Sequence, residues 1–203
     1  MSFVDSQDKL LRSIEAEIAK AVEKTKNLAI SRMEKLGPDA TDAEYEAALG
    51  PLNDQLESVI SSTMFRRQKE IKFLLQQFPG AVKVPTLSPD ELMQSRVQDE
   101  ALSDYFRRAS PSRFMRNLFG QGRKAIEAQV ESIIAGAVWG ITANLTMKVL
   151  PTVEAWKWLT ERDELVCNLC KSLDGIVLNR TELNLLYPRH IGCRCQVLPA
   201  QSG

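Results

Sequence analysis

Histidine occurs once in this chain, at His190, and cysteine four times, at Cys167, Cys170, Cys193 and Cys195. So few imidazoles and thiols leave almost nothing from which a Ser–His or Cys–His nucleophilic pair could be built. A charge imbalance is also missing. Lys and Arg total 26 and Asp and Glu total 26, which removes any global pull toward nucleic acid or a membrane surface. Aromatics are only 6% of the residues, whereas Ala, Leu, Glu, Lys and Arg are plentiful and favour helix. No apolar h-region follows Met1-Ser-Phe-Val, so the expectation is a chain made and kept in a cytoplasm. The uncharged stretch 133–147 is fifteen residues long and contains Asn144 and two threonines. It is short of a span, so no membrane partner is expected and a buried core helix is.

What is present is helical punctuation. From Asp5 or Ser6 to about Lys35, Leu11, Ile14, Ile18, Ala21, Thr25 and Leu28 step by three and four, predicting one long helix with a narrow heptad stripe. Such a stripe suits a bundle helix or pairing between copies of the chain. Leu36-Gly37-Pro38 stops it. Thr41-Asp-Ala-Glu44 is a capping box that starts the next helix, and Gly50-Pro51 is expected to break or kink that helix. A second piece from about Leu52 to Gln77 carries Leu56, Ile60, Met64, Ile71, Leu75 and Phe78 on its apolar side. Six acids and no base lie in 39–57, and Arg66, Arg67, Lys69 and Lys72 then reverse the sign; both runs read as solvated faces. Phe78-Pro79-Gly80 opens a loop that lasts to Ser88. Ser88-Pro89-Asp90-Glu91 is a second capping box, and its helix is expected to reach about Arg108.

The segment 105–124 holds Arg107, Arg108, Arg113, Arg116, Arg123 and Lys124 without an acid, interleaved with Tyr105, Phe106, Phe114 and Phe119. Basic side chains with aromatics can grip phosphates and stack on bases; a cationic turn whose phenylalanines are core is the plainer account. Gly120-Gln-Gly122 lacks the ending of a phosphate loop. Helical patterning resumes from about 121 to 149 through Ile126, Val130, Ile133, Ala137, Ile141 and Leu145, with Gly136 and Gly140 suited to close packing, and Pro151 ends it.

Every cysteine and the one histidine fall within 167–195. Cys167-x-x-Cys170 lets one turn present two thiolates to one ion, and His190-x-x-Cys193 offers a second knuckle nineteen residues on. In an extended segment Cys193 and Cys195 would point to the same side. Five candidate ligands for a tetrahedral ion predict a closed, structural zinc site, with Cys193 favoured over Cys195 by the knuckle spacing. A disulfide pair, a redox Cys-x-x-Cys and simple buried thiols are the competing accounts. A zinc hydrolase would need an open position and a placed carboxylate, for which Asp174 or Glu182 would serve. Otherwise no carboxylate pair is readable, and catalysis is not expected. Asp174-Gly175, between Ser-Leu and Ile-Val-Leu, predicts a short β-hairpin.

The wider string carries a resemblance. Trp158, Thr160 and Asp163, then Cys167 and Cys170, then Leu173-Asp174-Gly175, then Pro188, His190, Cys193, Arg194 and Cys195 occur in the order of a known C-terminal signature. It resembles that of the phage head morphogenesis proteins, the minor head proteins of tailed bacteriophages (the Mu F-like family). The residues before Trp156 carry no signature of it. Members often have an Arg-Thr-Glu-like run in the preceding helix, where this chain has Ile133-Ile-Ala-Gly-Ala-Val-Trp-Gly-Ile-Thr-Ala-Asn. The resemblance implies a structural virion component acting in procapsid assembly. It would sit inside the head near the portal, with portal and capsid proteins as partners, and contact packaged double-stranded DNA or aid its ejection. It further implies residence in the host cytoplasm during assembly and in the capsid interior afterwards. The alternative is a zinc-stabilised cytoplasmic nucleic-acid-binding or regulatory protein. The expected fold is mainly α: a helical hairpin or arm over 1–80, a helical core over 81–155, and a small zinc-stabilised α+β module over 156–203.

Overall fold

The computed structural model describes residues 3–97, 100–108, 119–160, 167–187 and 195–200. It is mainly helical, with a small antiparallel sheet near the C-terminus. Helix α1 (Phe3–Leu36) and helix α2 (Asp42–Leu75) form a long antiparallel hairpin. Their direction is fixed by cross-links that run in opposite order: Arg66 and Arg67 to Glu17, Gln55 Nε2 to the Ala21 carbonyl, and the Tyr45 hydroxyl to the Gly37 carbonyl. Gly37 makes the turn possible, holding a φ of 76° after the last turn of α1.

The buried stripe of α1 departs from the expected heptads. Leu11, Ile14 and Ile18 are buried as anticipated, but Val22, Ala29, Ile30 and Met33 continue the stripe, while Ala21 and Leu28 face solvent and Thr25 is half-buried. A seven-residue reading drifts off a 3.6-residue helix by about 20° in every seven residues, whereas an eleven-residue one takes eleven residues to drift as far, in the opposite sense. The positions recur at elevens instead: Gln7, Ile18 and Ala29; Leu11, Val22 and Met33. Helix α2 does the same through Leu49, Ile60 and Ile71, and through Met64 and Leu75.

Helix α2 begins on the Thr41–Glu44 capping box and runs unbroken through Gly50-Pro51. The break expected there does not form. Proline costs a helix interior about 3 kcal/mol, and Leu49 and Leu52, 1% and 0% exposed, bury enough apolar surface on either side to offset it. The basic run also divides. Arg66 and Arg67 pair with Glu17, whereas Lys72 is buried, not solvated, at 6% exposure. Its ammonium donates to Gln68 Oε1 at 2.9 Å and to the Pro85 carbonyl at 2.6 Å, and burial pushes its pKa down. Gln68 exchanges two hydrogen bonds with the Leu87 backbone, which fastens the 76–88 loop against α2.

The Ser88 capping box starts a helix, but α3 (Pro89–Met93) lasts barely a turn. The chain then reverses through strand β1 (Arg96–Val97) and strand β2 (Glu100–Ala101) into α4 (Leu102–Arg108). The Leu102 N–H donates to the Ser95 carbonyl, and Asn144 donates its side-chain amide to the Arg96 carbonyl. Ser95 within the reversal and Asn144 outside it thus take up backbone groups that a continuous helix would have paired differently.

Helix α5 (Arg123–Val149) crosses α1 and α2 and forms the centre of the molecule. Its length and composition would suit a membrane span, yet 78% of its most apolar window is buried inside the fold. The anticipated face is buried, and burial extends round the whole circumference from Ile133 to Ala143, Gly136 and Gly140 included. Trp139 donates its indole N–H to Glu15 at 2.6 Å, and the Thr142 and Thr146 hydroxyls return to carbonyls one turn back.

Candidate metal centre

The C-terminal module is built on strand β3 (Ala155–Leu159), in which Trp156 and Trp158 are fully buried and Lys157 faces solvent. Strand β4 (Val177–Asn179) and strand β5 (Gln196–Pro199) pair antiparallel on its two sides, with Trp156 opposite Leu178 and Trp158 opposite Val197. Helix α6 (Asn168–Lys171) precedes β4 and helix α7 (Arg180–Leu186) follows it. Asn179 and Glu182 form a capping box on α7 that was readable as Asn-x-x-Glu.

Asp174-Gly175 does not form the expected local hairpin. Gly175 does hold a positive φ of 80°, but the residues before it are helix and turn, and β4 pairs with β3. Three bonds explain the choice. Gly175 N–H donates to the Trp158 carbonyl at 2.9 Å, Trp158 N–H donates to the Ile176 carbonyl at 2.9 Å, and Thr160 N–H donates to Asp174 Oδ1 at 2.9 Å. A strand already in place competes successfully with a local partner that Cys167 has drawn into a helical turn.

Cys167 occupies the N-cap of α6, and its sulfur accepts the Cys170 N–H at 3.4 Å. An N–H directed at sulfur favours the thiolate, the form that binds metal. Cys170 and Cys195 are each 2% exposed, and the three cysteines lie close together. Tyr187 braces this end of the sheet: its ring stands edge-on to Trp158 at 5.3 Å, and its hydroxyl donates to the Cys195 carbonyl at 2.8 Å. His190 and Cys193 lie outside the described residues, as do Asp163, Pro188 and Arg194 of the signature. Among the described residues, no three His, Cys, Asp or Glu side chains form a group that could hold an ion. Two buried polar atoms here have no hydrogen-bond partner among the described residues, Trp158 Nε1 and Gln196 Oε1. The donor set fits zinc in kind: soft thiolates, one already accepting a backbone N–H, in a largely buried setting.

Arg180 was not anticipated, and it joins the module to the helical core. Its guanidinium donates to the carbonyls of Met147 (3.1 Å), Leu150 (3.1 Å), Pro151 (2.6 Å) and Val153 (3.4 Å) at the end of α5. Nothing local in the sequence marks it.

The basic segment is not gathered into a surface by the described residues. Arg107 and Arg108 end α4, with side chains outside the description, and Arg113 and Arg116 lie outside it altogether. Arg123 pairs with Glu34 at 3.3 Å, and Lys124 is exposed. Phe106 is buried, Tyr105 stands edge-on to it, and Phe119 meets Tyr45.

The chain matches no protein-family model, no curated protein and no solved structure. The resemblance to head morphogenesis proteins therefore rests on the signature residues alone.

Proposed function

We propose that this protein is a structural minor head protein of a tailed bacteriophage, acting in procapsid assembly inside the head near the portal. The observation that carries the reading is the use made of the signature. Trp158 and Thr160 bond to Gly175 and Asp174, a distant stretch of the same signature, and Cys167 and Cys170 sit on the turn that leads into Asp174-Gly175. A signature spent on backbone bonds and a buried indole supports a module whose task is to hold shape. The two carboxylates that hydrolysis could have recruited are occupied likewise: Asp174 accepts from Thr160 N–H, and Glu182 accepts from Asn179 N–H at 2.8 Å.

Zinc in this reading would be held by Cys167 and Cys170 with donors from among His190, Cys193 and Cys195, and would supply cohesion to a module with little core of its own. One zinc per purified chain is expected. Cys167→Ser or Cys170→Ser should lose it together with the protection of residues 156–199 against hydrogen exchange. A metal-free protein with a fully protected module would overturn the zinc. For the head, genes for portal, terminase and protease are expected beside this one, with the protein present in assembled heads. Heads formed in its presence but lacking it would overturn the assignment.

A further inference from the structure

We infer that the open face of α2 binds a second copy of this chain, with the two α2 helices antiparallel about a two-fold axis between Lys69 and Glu70. Helix α2 is engaged on two sides. Gln68 and Lys72 turn to the 84–87 loop. Arg67 turns to α1, where its Nη2 donates to the Ser13 hydroxyl at 3.1 Å. Between these sides Arg66, Lys69, Glu70 and Phe73 are all exposed, and spacings of three and four put them on one face. Phe73 is 68% exposed, more than any other aromatic among the described residues. Beside it, Ser6 and Leu10 of α1 with Lys69, Glu70, Phe73 and Leu74 of α2 line a groove of about 420 Å³. An exposed ring on the wall of a groove is a feature of contact surfaces.

What identifies the occupant is that this face is the complement of itself. An antiparallel alignment about the axis sets Lys69 against the partner's Glu70, and Glu70 against the partner's Lys69. One step outward, Arg66 meets the ring of the partner's Phe73, the arrangement in which a guanidinium stacks on an aromatic face. At the margin Phe65, itself exposed, meets the partner's Leu74. Each contact then occurs twice, as a two-fold interface requires. Arg66 is prepared for its part: Nη2 donates to Glu17 Oε1 at 2.7 Å, a bond in the plane of the guanidinium that leaves its faces available. Other registers are penalised. Moving the axis onto Lys69 or onto Glu70 sets like charges against each other, and so does a parallel pairing. A foreign helix would not require this inverted order of charges.

Sedimentation equilibrium of the full-length protein should show a monomer–dimer equilibrium. Lys69→Glu sets glutamate against glutamate at both places, and Glu70→Lys sets lysine against lysine. Each variant alone should therefore dimerise about tenfold or more weakly. Mixed in equal amounts, the two regain both opposite-charge pairs and should form a mixed dimer of near wild-type affinity. A single chain carrying both changes should dimerise with itself for the same reason. Phe73→Ala should weaken the dimer about tenfold or more. These positions are exposed, so far-UV circular dichroism should show every variant folded as the wild type is. A wild type that stays monomeric throughout the concentration range would overturn the inference and leave the groove to another protein. Undiminished dimers in both charge reversals would overturn it too. So would folded single variants that fail to recover on mixing, or a folded double variant that stays monomeric, since either places the contact in another register.

Discussion

Replacing Arg180 by Ala tests how the C-terminal module is held to the helical core. The Met147 carbonyl would ordinarily accept the N–H four residues on, but that residue is Pro151, which has none. Arg180 Nη2 fills the vacancy at 3.1 Å, while Nη1 serves Leu150, Pro151 and Val153. Hydrogen bonds from a charged donor are worth about 1.5–3 kcal/mol each but are far from additive. A cation at a helix C-terminus adds about 0.3–1 kcal/mol. Arg180 is half-buried, and water can re-solvate part of what it leaves. The expected loss is therefore about 2–3 kcal/mol rather than the sum. Urea unfolding followed by tryptophan fluorescence suits the question, because Trp139 lies in α5 and Trp156 and Trp158 lie in β3. Arg180→Lys keeps the charge but not the fork, and should recover less than half of the loss. An Ala variant within about 0.5 kcal/mol of wild type, the range of an inert surface change, would show that the carbonyls find other partners and that this joint is not where the two parts are held.

Gly175→Val should destabilise the module by about 1–3 kcal/mol; a Cβ there meets nothing within 4 Å, so the cost would be the φ of +80° alone, and an unchanged unfolding midpoint would refute it. Glu44 and Glu91 are held below the usual carboxylate range first by the N–H groups of Thr41 and Ser88 and then by their hydroxyls. Because the folded values are lowered from 4.5, the stability they contribute is complete above that pH and is lost as pH falls through the lowered values. The double variant Glu44→Gln, Glu91→Gln should flatten the acid limb of a stability–pH curve, and superimposable curves would count against the capping boxes as its source. If 105–124 faces packaged DNA, changing Arg107, Arg108, Arg113 and Arg116 to Gln should weaken binding alike on all sequences and reduce its salt slope in filter binding. An unchanged slope would remove the segment from DNA contact.

Much of the helical part was legible because its signals are local. Thr41–Glu44 and Ser88–Glu91 each declare a helix start through a side chain three residues from its partner, and Gly37 declares an end through a conformation few other residues accept. Where the outcome depended on a distant partner, local reading failed. Pro51 is tolerated because of what Leu49 and Leu52 bury, and Lys72 is interior because the 84–87 loop offers it carbonyls. The Asp174-Gly175 turn is readable from the sequence but its strand partner is not, since nothing near it reveals that Trp158 and Thr160 will be waiting. At the candidate metal centre the cysteines announce themselves by spacing. The second tier, Arg180 and Tyr187, consists of ordinary residues whose importance is created by the fold.

The eleven-residue recurrence in α1 and α2 makes the hairpin a ruler with a fixed graduation. An eleven-residue recurrence winds three turns at about 3.67 residues each, so inserting that number at matched points of both helices would advance the arm by about 16 Å and return every side chain to its face. At that winding seven would fall about 33° short of two turns and rotate the buried stripes apart. A lineage that needed a longer or shorter reach could therefore adjust it in whole steps of eleven without redesigning either end.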